Sequence, residues 1–126
     1  MPRLPIAALA LLATTTLALA QDGIKRTPLQ KIDFPDGYTT VTGLAEIQPG
    51  ASSGRHTHPG IETGYVLEGE TTLSIDGQPD IVMKAGDSYV IPAGVPHDAK
   101  ASGKTQVKVL GIYVIERGKP LAAPVK

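Results

Sequence analysis

From Tyr38 onward, apolar and polar residues alternate in short runs, and nothing beyond residue 20 sustains a period of 3.6. Tyr38 to Ile47 holds the β-branched residues Thr39, Thr40, Val41, Thr42 and Ile47 and stops at Pro49-Gly50, which predicts a strand followed by a turn. Tyr65-Val66-Leu67 ends at Glu68-Gly69. In Thr71 to Ile75, Leu73 and Ile75 alternate with polar neighbours as far as the turn pair Asp76-Gly77. Ile81 to Met83 ends at Ala85-Gly86, and Ser88 to Ile91 ends at Pro92-Ala93-Gly94. Gln106 to Ile115 is the longest apolar run of this region. Strands this short and evenly spaced predict an all-β chain, either a sandwich or a barrel.

The two ends read differently. Arg3 precedes an apolar run from Leu4 to Leu19 interrupted by Thr14, Thr15 and Thr16, and Ala18-Leu19-Ala20 forms a small-x-small end before Gln21-Asp22. This is the pattern of a signal peptide over residues 1–20, cut after Ala20, and it is short for a membrane span. A periplasmic or secreted location is expected, with no stable membrane insertion after cleavage. Residues 21–36 are mixed and polar, broken by Pro28 and Pro35, with Leu29, Ile32 and Phe34 as apolar content. They predict an N-terminal arm, extended or an edge strand. Residues 37–118 form the predicted barrel, and residues 119–126 a loosely ordered C-terminal tail.

Composition narrows the function. Twelve lysines and arginines balance twelve aspartates and glutamates, so no basic surplus points to nucleic acid. At 126 residues, 41% of them hydrophobic, there is room for one domain. The chain has no cysteine, so an exported form gains no disulfide, and thiolate ligands and nucleophiles are excluded.

The candidate chemistry lies in the histidines, of which there are three: His56, His58 and His97. On a strand, His56 and His58 project from one face with Cα atoms about 6.6 Å apart, so both rings converge on one point. Pro59-Gly60 bends the chain and lets Glu62 return its carboxylate to the same centre. His97 arrives from a separate hairpin behind Pro92-Ala93-Gly94-Val95-Pro96. Three imidazoles and a carboxylate suit a divalent first-row transition metal: iron, manganese, copper, nickel or zinc. Arg55, next to His56, is expected to point away from it. Tyr65 and Tyr89 are read as packing residues, and Glu68 and Glu70 as solvated charges.

The stretch Gly50-(x5)-His56-x-His58-(x3)-Glu62-(x6)-Gly69 resembles the first motif of the cupin superfamily. Gly86-(x5)-Pro92-x-Gly94-(x2)-His97 resembles the second, with Ala101 where the motif usually carries asparagine. The resemblance implies a single-domain cupin β-barrel of the double-stranded jelly-roll type, with His56, His58, Glu62 and His97 as metal ligands. It also implies turn roles for Gly50, Gly69, Gly86, Pro92 and Gly94, and a homodimer to which the N-terminal arm adds a strand.

The expected function is metal-dependent action on a small organic molecule, as a dioxygenase, isomerase or decarboxylase, with Glu62 as the one candidate catalytic residue. The alternative is a non-catalytic periplasmic module that binds a small molecule or a metal. An interaction protein using only the outer faces is disfavoured, because an idle buried cluster of this kind is costly.

Overall fold

The computed structural model describes residues 22–126, and the expected signal peptide lies outside them. The described residues form ten strands and no helix: β1 (Ile24–Ile32), β2 (Tyr38–Ile47), β3 (His56–Thr57), β4 (Gly60–Glu68), β5 (Glu70–Ile75), β6 (Ile81–Lys84), β7 (Ser88–Ile91), β8 (His97–Ala101), β9 (Val107–Glu116) and β10 (Ala123–Pro124). They make two antiparallel sheets, ordered β1-β2-β9-β4-β7 and β10-β3-β8-β5-β6. The chain crosses repeatedly from one sheet to the other, which is the jelly-roll barrel that the cupin resemblance implies.

The side-chain period of two decides which face goes inside. On β4, Glu62, Gly64 and Val66 are buried, while Ile61, Tyr65 and Leu67 face outward and are exposed. Ile47, Val66, Ile91 and Val107 from the first sheet meet Leu73, Met83 and Ala101 from the second in one core. Each fully buried valine, leucine or isoleucine contributes about 1.5–3 kcal/mol. Gly69 shows why a turn position is fixed. Its φ is +81°, and a Cβ there would sit 2.4 Å from the Gln106 carbonyl oxygen, so only glycine fits.

Ala101 is 1% exposed and takes its place in the core. Its carbonyl accepts from the Gly50 N–H at 2.9 Å and its N–H donates to the Ala51 carbonyl at 3.0 Å. Backbone bonds hold this corner, so the motif's asparagine is not needed to close it.

Both chain ends pair into the sheets, the first as an edge strand and the second against β3. Within the arm, β1 pairs with β2 of its own chain from Ile24↔Ile47 to Ile32↔Thr40, with a bulge between Pro28 and Gln30. Ile24 is buried in the core, which ties the strand down. The tail is not loose. Ala123 and Pro124 pair with Thr57 and His56, and the Val125 N–H donates to the Arg55 carbonyl at 3.0 Å. A strap crosses the barrel beside the histidines.

Candidate metal centre

Three of the four predicted ligands stand on separate strands and the fourth in the bend between two of them. His56 is on β3, His97 begins β8 directly opposite it, and Glu62 is on the inward face of β4. His58 follows β3 just before the Pro59-Gly60 bend, which swings the chain from the second sheet to the first. One nitrogen or oxygen from each of the four side chains lies within 4.8 Å of the others. Donors about 2.1 Å from one ion are at most about 4.2 Å apart, so closure needs an inward shift on the order of half an ångström.

The hydrogen bonds behind the rings test whether a metal fits. His56 Nδ1 donates to the Gly54 carbonyl at 2.6 Å, His58 Nδ1 to the Leu121 carbonyl at 2.7 Å, and His97 Nδ1 to the Val95 carbonyl at 2.9 Å. A carbonyl oxygen only accepts, so each Nδ1 carries a hydrogen and each neutral ring turns an Nε2 lone pair toward the centre. This is the outer-shell arrangement that orients metal-binding imidazoles. His58 Nε2 is buried without a hydrogen-bond partner. It lies 2.9 Å from Glu62 Oε2, but the approach is not aligned as a hydrogen bond, so two acceptors face each other. An unsatisfied buried nitrogen beside a carboxylate oxygen is the space a cation fills.

Glu62 sits among these groups, 5% exposed. Its Oε2 is 3.0 Å from His97 Nε2, and its Oε1 accepts from the Tyr89 hydroxyl at 2.7 Å. Burial pushes the Glu62 carboxyl up, but His58, His97 and Tyr89 outweigh it and hold the group at about 2. Burial likewise pushes the His97 imidazolium down, but Glu62 beside it more than offsets this and raises the group above its ordinary value. His56 is lowered, chiefly by burial, with the other two imidazoles adding to the push. Tyr89 and Tyr113 are pushed well up by burial and by the Glu62 carboxylate, so both remain neutral phenols.

The two tyrosines are where sequence reasoning fell short. Tyr65 is exposed on the outer face, but Tyr89 is a direct partner of the central carboxylate. Tyr113, not singled out beforehand, packs its ring edge against His58 with centroids 4.8 Å apart. A row of glycines makes room for both. Gly43, Gly111 and Gly64 are in register across β2, β9 and β4, and Tyr89 follows on β7. A Cβ on Gly64 would lie 2.1 Å from Tyr89 Cζ, and one on Gly111 would lie 2.6 Å from the Tyr113 hydroxyl oxygen. The phenols therefore lie along the sheet in the space missing side chains leave. Tyr113 had a legible signal, because it shares the inward alternation of Val107 and Val109. Arg55 pairs with Asp76 at the edge of the cavity, and Glu68 and Glu70 are exposed.

Above the cluster is a cavity of about 500 Å³. Ile47, Leu73, Ala99 and Val109 form apolar walls, and Leu121 and Pro124 of the strap cover one side. A cavity this size, apolar with a few convergent polar groups, has the make-up of a small-molecule site.

Comparison with known proteins places the fold. A 51-residue stretch is 53% identical to the HTH-type transcriptional regulator PuuR of Escherichia coli (strain K12), covering 40% of this chain and 27% of that protein. The germin-like protein subfamily T member 3 of Arabidopsis thaliana is 30% identical over 112 residues, 81% of this chain and 48% of that one. The chain thus spans about half or less of the length of these curated relatives. An oxalate oxidase solved with the substrate analogue glycolate superimposes with a TM-score of 0.70 at 23% identity, covering 94% of this chain and 63% of that one, which shows a shared fold. Residues 43–113, the span that carries the three histidines and Glu62, match the cupin domain, and the chain belongs to the cupin family.

Proposed function

We propose that this chain is a metal-dependent enzyme that transforms a small organic molecule, exported to the periplasm or beyond after cleavage at Ala20. The observation that carries the reading is the buried meeting of three inward-turned Nε2 atoms and one carboxylate below a cavity with apolar walls. His56, His58, Glu62 and His97 would hold the ion. Once bound, the ion supplies Lewis acidity for isomerisation or decarboxylation, or, if redox-active, one-electron chemistry with dioxygen. The side chains do the rest. Tyr89 fixes Glu62 through Oε1 and leaves Oε2 toward the imidazoles. Release of Oε1 from Tyr89 would free Glu62 to accept a proton from a substrate, its role as candidate catalytic residue. Ile47, Leu73 and Val109 exclude water from the reacting end.

The likeness to an oxalate oxidase supports an oxidoreductase among the three reaction classes. One observation favours a second reading, a non-catalytic binding module: the stretch of high identity belongs to a transcriptional regulator. Elemental analysis of untagged protein, then turnover and dioxygen uptake with iron-, manganese-, copper-, nickel- and zinc-loaded forms, separates the two. Turnover that disappears in His58→Ala is the expected result. A ligand held unchanged by all five forms would make the chain a binder.

We also propose a homodimer through the outer face of the first sheet. Ile61, Tyr65, Leu67, Val90 and Ile112 are exposed there, an apolar surface a monomer seldom leaves open. Light scattering should give twice the chain mass, and a monomer at micromolar concentration would refute it.

A further inference from the structure

The metal cluster accounts for one end of the cavity and leaves the charge at its mouth unexplained. Arg26 lies on β1 two residues after the buried Ile24; its side chain is exposed at the rim of the cavity, which both residues line with Tyr113. Its partners across the sheet are Ala45 on β2 and, beyond it, Val109 on β9. Neither carries a polar group, and the Tyr113 phenol further along β9 feels the guanidinium's charge but stays neutral and cannot balance it. Its Nη2 donates to the Ser53 carbonyl at 3.2 Å, which uses one of five N–H donors. Among the described residues, no carboxylate lies within ion-pair distance of it. The neighbouring cations are answered: Arg55, also at the cavity, pairs with Asp76, and Lys25 pairs with Glu46. The one carboxylate inside, Glu62, is committed to the imidazoles and Tyr89.

We infer that Arg26 is the anchor for the carboxylate of the cavity's ligand, a small organic acid with an apolar body. This deepens the enzymatic reading above and rests on the same cavity. A divalent ion, the Glu62 carboxylate and Arg26 together leave an excess of about two positive charges, which calls for an anionic guest. The apolar walls confine that charge to one end of the guest. A guanidinium offers parallel N–H donors in a fork, which match the two oxygens of a carboxylate. The further oxygens of a phosphate would face apolar walls without partners.

Calorimetric titration of the zinc-loaded chain with hexanoate and with its neutral counterpart hexanamide tests the assignment. Wild type should bind hexanoate roughly tenfold or more tightly than hexanamide, the weight of a charge-assisted hydrogen bond. Arg26→Gln should lose that preference with its zinc content unchanged, and Arg26→Lys should keep part of it. Equal binding of the two probes to wild type, or no binding of hexanoate, overturns the inference. A preference that survives in Arg26→Gln also overturns it, because the ion would then be holding the carboxylate. Zinc content is measured separately. A chain that takes up no metal sinks the enzymatic reading, while the hexanoate preference is still read on the metal-free protein.

Discussion

Replacing His97 with alanine should lower metal affinity more than hundredfold, beyond the ten- to hundredfold typical of losing an outer-shell partner. The same residue sets the pH dependence. Metal needs the Nε2 lone pair, and although burial works against protonation, Glu62 raises the His97 imidazolium above its ordinary 6.5. Proton and metal therefore compete from above pH 6.5 downward, at about one decade of affinity per pH unit for each proton displaced. Glu62, held at about 2, stays ionised throughout this range and is not the titrating group. His56, lowered, is already neutral where His97 begins to protonate. In His97→Ala the onset should move to lower pH, and zinc titrations between pH 5 and 8 would show it. An unchanged onset would mean that His97 is not a ligand.

Metal-free protein should behave in the opposite sense. The His97–Glu62 pair stabilises the fold fully below the unfolded imidazole value of 6.5, and that contribution fades as pH rises through the raised folded value. The Glu62 contribution is present above 4.5 and fades as pH falls toward about 2. These two contributions coincide between about 4.5 and 6.5, where the lowered His56 works against them because its burial disfavours the proton the unfolded chain takes up, and the stabilisation added by zinc should grow above that window. Denaturant unfolding of stripped and zinc-loaded protein across this range measures both. In the stripped protein, His97→Ala should cost about 3 kcal/mol, because it takes a partner from a buried carboxylate.

Local rules made His56, His58 and Glu62 legible together, while His97, 35 residues beyond Glu62, was joined to them by its resemblance to the second cupin motif. Period two puts His56 and His58 on one side of the chain, and the bend at Pro59-Gly60 is written in the residues that make it. β2 and β7 likewise run over the residues predicted for them, since β-branched residues fill much of β2 and both strands end at proline and glycine. β1 was obscured by its own role. As an edge strand it is wet on one side, and the positions in line with Ile24 are the exposed Arg26 and Pro28, where a core strand would carry apolar residues. The partnership of Tyr89 with Glu62 was hidden for another reason. It depends on Gly64 lying opposite Tyr89, and the pairing of β4 with β7 joins residues far apart in sequence. The hydrogen bond from His58 to Leu121 left no mark at all. Its acceptor is a backbone carbonyl, which any residue type supplies.

That carbonyl makes the C-terminal strap the second place where a large effect is expected. Removing residues 119–126 deletes the acceptor that fixes the His58 tautomer and turns its Nε2 inward. It also deletes Leu121, Ala122 and Pro124 from the cavity wall. Metal affinity should fall ten- to hundredfold, in the range for an outer-shell partner of a ligating histidine. Stability of the metal-free barrel should change little, since β10 pairs over only two residues and the strap is largely exposed. The Lys119–Glu116 pair lost with it is a surface contact of small weight. The two readouts must therefore separate, with zinc affinity down and the thermal midpoint of the stripped protein nearly constant. A truncated chain that binds zinc as the full one does would show that water replaces the Leu121 carbonyl without cost. A barrel that unfolds on truncation would place the strap in the core of the fold, which its exposure contradicts.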